Sequence, residues 1–200
     1  MEVYPLSHMP EELSQVHIAL FTNVRNAAEI RSSLIAAATM DGPAGDSERD
    51  KYDFCFIEAK SIVSRAHLLT GIHQALLASS QQALSTKTTH SEILFMLNPS
   101  NNIAESLRSF GLSPKTTSLI LVRIAPPPTN SDPSTENSPG WIQEKMRSLV
   151  DGDEVSLDQI GEGTVDWKVV EKLYKLPKNS ADKQWVEKMV VSTVATKGVM

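Results

Sequence analysis

Five histidines, one cysteine and a stretch of carboxylates are the residues of this sequence that could carry proton transfer, nucleophilic attack or metal binding. His8, His17, His67, His73 and His90 include no pair in His-Glu-x-x-His spacing. His67 and His73, six residues apart on a helix, would sit about 120° from each other and share a metal poorly. Cys55 lies inside the run Tyr-Asp-Phe-Cys-Phe-Ile, where a thiol reads as a small core residue. Asp41, Asp46, Glu48 and Asp50 fall in a stretch with Gly and Pro, and nothing nearby predicts the desolvated pocket that acid–base work needs. Gly161-Glu162-Gly163 lacks a third glycine and a preceding strand, and reads as a turn. There is no Gly-x-Ser-x-Gly elbow and no P-loop. The residues therefore predict no catalytic centre, no metal and no cofactor.

Charge is uneven along the chain. It has 200 residues and a net charge of −5, which disfavours nucleic acid unless a local patch supplies cations. Between Glu58 and Glu92 there is no acid, while Lys60, Arg65, Lys87 and three histidines fall in that stretch. A buried helix that needs no charge explains this, and so does a phosphate-contacting surface. From Val165 onward seven lysines meet four acids, which reads as a solvated face. One cysteine cannot make an internal disulfide, and the start has neither a basic n-region nor an apolar h-region. A nuclear and cytoplasmic protein without membrane spans is expected.

The elements that must position these residues follow from apolar periodicity. Val16 to Thr22 predicts a strand, and Ala27, Ile30, Leu34 and Ala38 then mark one helical face. Asp41 to Lys51 reads as an exposed loop. Tyr52 to Ile57 predicts a second strand. From about Ser61 to Ala83 the period is helical with two apolar stripes, one of them Leu68, Ile72 and Ala75, and Gly71 between them suggests close packing. Glu92 to Leu97 reads as a short buried strand. Asn98 to Asn102 is a turn and cap, followed by a helix with Ile103, Leu107 and Phe110 on one face and Gly111 at its end. Thr117 to Ile124 is the strongest strand. Residues 126–139 have the composition of a flexible Pro-rich insertion. Helices are expected at Trp141 to Val150, Val165 to Leu176 and Trp185 to Thr196. The fold class is α/β (α+β): one domain with a central four-stranded, largely antiparallel sheet, covered by helices, and a helical last third.

The segment Leu84 to Ile124, LSTKTTHSEILFMLNPSNNIAESLRSFGLSPKTTSLILVRI, resembles the signature of the PRPK-binding protein family, the kinase-binding subunit of the KEOPS (EKC) complex. The matching positions are Thr88, Glu92, Ile93, Leu97, Pro99, Asn101, Asn102, Ile103, Leu107, Phe110 and Gly111. Ser64 to Leu69 with Ala75 resembles the family's His-Leu-x-x-Ala helix. Tyr174-Lys175-Leu176 and the closing Ser192 to Met200 resemble its Tyr-Lys-Leu and Ser-Thr-Lys elements. Asn98 stands where serine is usual, and the acidic stretch and the Pro-rich insertion lengthen loops.

The resemblance implies a non-catalytic subunit that binds and regulates an atypical kinase, with other subunits reached through that kinase. It implies support for threonylcarbamoyl modification of the tRNA adenosine next to the anticodon, contact with the tRNA acceptor end, and a link to telomere upkeep. A kinase surface is expected on Leu68, Ile72 and Leu76 or on Trp185, Met189 and Val190. An RNA contact would use Lys60, Arg65 and Lys87, with Asn101 and Asn102 as hydrogen-bonding partners, although capping the next helix also explains the asparagines. No small-molecule substrate is expected. The competing reading is a stand-alone regulatory or telomere-associated binding module.

Overall fold

The computed structural model describes residues 1–128, 135–177 and 182–198. Its centre is an antiparallel sheet. β2 (Gln15–Thr22) pairs along its length with β4 (Leu119–Ala125), and β4 pairs on its other side with β3 (Cys55–Glu58). The far edge of β2 is shared: β1 (Glu2–Pro5) runs along its first half and β5 (Asp153–Val155) along its second. The sheet thus has five strands, two more than the three correctly expected, and all pairings are antiparallel.

Both faces of the sheet are covered, which is why its central strands read as near-continuous apolar runs. On one face Val16, Ile18, Leu20, Ile57, Ile120 and Val122 meet α3 (Arg65–Ser80), α4 (Thr89–Leu97) and α8 (Lys183–Lys197). On the other, Ala19, Phe21, Phe56 and Leu121 meet α1 (Ala27–Thr39) and α6 (Pro139–Leu149). The remaining helices are α2 (Gly42–Lys51), α5 (Ile103–Phe110) and α7 (Trp167–Leu173).

Two elements differ from the sequence reading. Glu92 to Leu97 is not a strand but the body of α4. Thr88 caps that helix, its hydroxyl accepting from Ser91 N–H at 3.1 Å, and every residue from Glu92 to Leu97 is buried. A short run buried on all sides has no period that separates helix from strand. Glu92 can sit there because Thr86 donates to its Oε2 from both backbone and hydroxyl, at 2.8 and 2.7 Å. Asp41 to Lys51 is not a loop but contains α2, whose exposed polar residues conceal it. Gly42 and Pro43 open that helix, Arg49 pairs with Asp46 and Lys51 with Glu48 at i,i+3 spacing, and Arg49 also donates to the carbonyls of Ala37 and Met40 at the end of α1.

The helical last third is present as α6, α7 and α8. Of the expected insertion, residues 129–134 lie outside the described residues, while Ser138 and Pro139 open α6, with Ser138 as its cap. Gly71 is where α3 meets α4: a methyl group added there would stand 2.5 Å from Leu97 Cδ2. On α5, Phe110 is buried while Ile103 and Leu107 are exposed, so the three do not share one inward face.

Candidate functional site

The turn after α4 and the end of α7 face each other across a groove. Its volume is about 710 Å³. Asn98, Pro99 and Ser100 form one wall, Glu105 and Arg108 of α5 continue it, and Lys172 of α7 with Tyr174 and Lys175 forms the opposite wall. Glu58 and Lys60, at the end of β3, complete the lining. The turn is tightly built. Asn98 is buried, its amide donating to Ser106 at 2.9 Å and Ser100 at 3.1 Å, while Asn102 caps α5 by accepting from Glu105 N–H at 3.1 Å.

Behind the groove three separated segments are locked together. Val63 N–H donates to Nδ1 of His67 at 3.3 Å, which leaves the proton on Nε2. That proton faces the Tyr174 hydroxyl at 2.8 Å, and the hydroxyl donates in turn to the carbonyl of Leu97 at 2.6 Å. Burial holds the His67 pKa down at about 3 and pushes the Tyr174 hydroxyl well above its ordinary value. Both groups are neutral and fully partnered near pH 7, which makes the chain of bonds a structural tie and not an acid–base pair. At the same C-terminal end of α4, the Lys197 ammonium donates to the carbonyls of Phe95, Asn98 and Ser100, the last two at 2.6 and 2.9 Å. Desolvation lowers its pKa to about 8. A cation at these carbonyls also suits the negative end of α4.

These ties join the pieces of sequence that carry the family resemblance: His67, Leu97 with the turn after it, Tyr174, and Lys197. A model of the kinase binding protein CGI-121 family matches residues 21–198. The chain belongs to that family. Among curated relatives, a Cryptococcus neoformans protein described as "EKC/KEOPS complex subunit CGI121" is 37% identical over the whole of both chains. Proteins of the same description are 34% identical in Candida albicans, over 88% of this chain and 84% of that one, and 31% identical in Gibberella zeae, over 100% and 99%.

Within this family member the expected site residues divide. Leu68, Ile72 and Leu76 of α3 and Val190 of α8 are in the core: no more than 2% of any of them is exposed, because the sheet, α4 and α8 together cover that side of α3. They cannot form a partner surface in the folded chain. Trp185 and Met189, one turn apart on α8, are 39% and 40% exposed. Of the expected RNA residues, Lys60 lines the groove, paired with Glu58 at 3.0 Å. Arg65 is engaged by Glu2 and Asp158, each at 2.9 Å, and does not reach the groove. Lys87 and Asn101 are exposed away from that lining, and Asn102 is the α5 cap.

The sequence reading missed Arg108, Lys172 and Lys175, which have no ion-pair partner among the described residues and line the groove. The only signal for the last two was the lysine excess after Val165. With Lys60 they set four cations against the carboxylates of Glu58 and Glu105. Two histidines that sequence spacing did not associate also meet: Nε2 of His8 and Nε2 of His73 are 3.0 Å apart at the surface. Cys55 is buried and desolvation raises its thiol pKa, so it is held as a neutral core residue.

Proposed function

We propose that this chain performs no chemistry itself and acts as the kinase-binding subunit of an EKC/KEOPS-type complex. It grips the atypical kinase through the outer face of α8 and holds a strand of tRNA in the groove beside the signature turn. In that role it supports threonylcarbamoyl modification next to the anticodon, in nucleus and cytoplasm, with a telomere role as an extension of the same assembly. Full-length similarity to proteins described as EKC/KEOPS subunits supports the reading. The observation that carries the kinase surface is the pair Trp185 and Met189. α8 buries Val186, Val190 and Val194, and beside that stripe Trp185 and Met189 leave 39% and 40% of their surface uncovered. Exposed aromatic and methionine side chains are typical anchors of an interface. The groove's cations support the tRNA contact, since phosphate binding needs local positive charge in a protein of net charge −5.

Size-exclusion chromatography with the cognate kinase tests this. The wild type is expected to co-elute, and the folded double variant Trp185→Ala/Met189→Glu to elute alone. If the wild type does not co-elute, the kinase-binding reading is wrong. If the double variant still co-elutes, the surface lies elsewhere, and the exposed Ile103 and Leu107 of α5 are the next to change.

A further inference from the structure

Two of the five histidines meet at the surface although 65 residues separate them in the chain. Nε2 of His8 stands 3.0 Å from Nε2 of His73. The ring planes are tilted by 57° and their centroids are 5.3 Å apart, so the rings touch through these nitrogens and do not stack. Neither Nδ1 has a hydrogen-bond partner among the described residues, and neither is sealed inside the protein. The other three histidines are committed elsewhere. His17 and His67 are buried, and His90 accepts from Ile124 N–H at 3.3 Å and faces Asp53 with Nδ1 at 3.0 Å.

Both rings are carried on held backbone. His8 lies in a turn closed by Met9 N–H on the Leu6 carbonyl at 3.0 Å and by Leu6 N–H on the Ser14 carbonyl at 2.7 Å, and the buried Met9 beside it anchors the turn in the core. His73 lies in the middle of α3, next to the buried Ile72. A hydrogen bond between two such exposed rings competes with water and returns little stability. Two imidazoles converging nitrogen to nitrogen are, by contrast, what a transition-metal ion needs. With metal–nitrogen bonds of about 2.0–2.1 Å, nitrogens 3.0 Å apart subtend about 91–97° at the ion. That is close to the roughly 90° between neighbouring ligands of a tetragonal site and short of the roughly 109° of a tetrahedral one, which favours Cu(II) or Ni(II) over Zn(II).

We propose that His8 and His73 form a two-nitrogen site for a divalent transition-metal ion of the Cu(II) or Ni(II) type, which clips the segment before β2 to α3. To ligate, both rings present a bare Nε2, so the ring that donates in the metal-free pair moves its proton to its own Nδ1 by exchange with water. Among the described residues no third histidine, cysteine or carboxylate joins the two, and water completes the coordination. The site draws on neither the cationic groove nor the exposed pair on α8.

Isothermal titration of the untagged full-length protein with nickel chloride tests this, in a non-chelating buffer at about pH 7.5, where imidazole is neutral and can ligate. One Ni(II) per chain is expected to bind, and magnesium chloride, whose ion prefers oxygen ligands, is expected to give no binding. His8→Ala and His73→Ala, each checked for folding by circular dichroism, should both weaken Ni(II) binding by roughly tenfold or more, since each leaves a single imidazole. Thermal unfolding supplies a second readout. An ion that bridges the folded pair stabilises the folded state by mass action, so Ni(II) should raise the wild-type midpoint and leave that of either variant unchanged. The wild-type stoichiometry and midpoint do not depend on a variant folding. Absence of Ni(II) binding by the wild type overturns the proposal. So does equal affinity in wild type and either variant, or binding that leaves the wild-type midpoint where it was, because the ion would then sit on separate side chains.

Discussion

Acid should destabilise this protein well before its carboxylates protonate, because two histidines are buried uncharged. His17 lies on β2 with 0% exposure, neither ring nitrogen has a hydrogen-bond partner, and Arg123 stands opposite it on β4. Desolvation first, and the Arg123 charge second, hold its pKa at about 4 instead of 6.5. His67 is held at about 3 by desolvation alone. In both cases the folded value lies below the unfolded one, so the folded state resists protonation. The penalty is absent above about pH 6.5, grows as pH falls through that value, and levels off below the folded pKa. At pH 5 each histidine contributes a penalty of about 1.5 pKa units, or about 2 kcal/mol, and the pair about 4 kcal/mol. That is a large share of a typical domain's stability of about 5–15 kcal/mol. Asp53 and Glu154, whose pKa values are lowered by their ionic partners, lose their contributions at lower pH and leave this window to the histidines. Urea unfolding at pH 7.5 and pH 5, followed by tryptophan fluorescence, measures the difference. His17→Leu removes a ring that makes no hydrogen bond, so the variant should lose only about half as much stability as the wild type over the same interval. A wild-type stability that is flat from pH 7.5 to pH 5, or a His17→Leu variant that loses as much as the wild type, refutes the reasoning.

Tyr174→Phe leaves the Leu97 carbonyl and the His67 Nε2–H without partners in a buried site. It should cost about 1–3 kcal/mol in chemical denaturation, with kinase co-elution retained, because the hydroxyl faces inward. Gly71→Ala gains about 1 kcal/mol of helix propensity but drives a methyl against Leu97, so a net loss of about 1–2 kcal/mol is expected at the α3–α4 contact; a more stable variant would show that the two helices are looser than described.

Much of this was legible along the chain. β2 and β4 announce themselves by apolar runs of strand formers, and α8 by its helical stripe. The signature around Pro99 was readable because its residues are consecutive, and they form one turn whose own side chains bond locally. α4 and α2 were misread for opposite reasons. α4 is buried on every side and so has no polar face to reveal its period, whereas α2 is so exposed that it has almost no apolar one. β1 and β5 are too short to carry a pattern, and their pairing along one edge of β2 supplies what local preference does not.

By itself, the sequence determined membership of the family, the main strands and helices, and the cation count available for a partner. Only the tertiary structure decided which apolar stripes remain free. Periodicity records that a helix face is apolar but not what covers it, so Leu68, Ile72, Leu76 and Val190 looked the same as Trp185 and Met189 until packing buried the first four. The groove is decided in the same way. Glu58, Arg108 and Lys172 are far apart in the chain, and no local pattern relates them. They share a surface because the His67–Tyr174–Leu97 bonds and the sheet bring the end of β3, the turn after α4 and the end of α7 together.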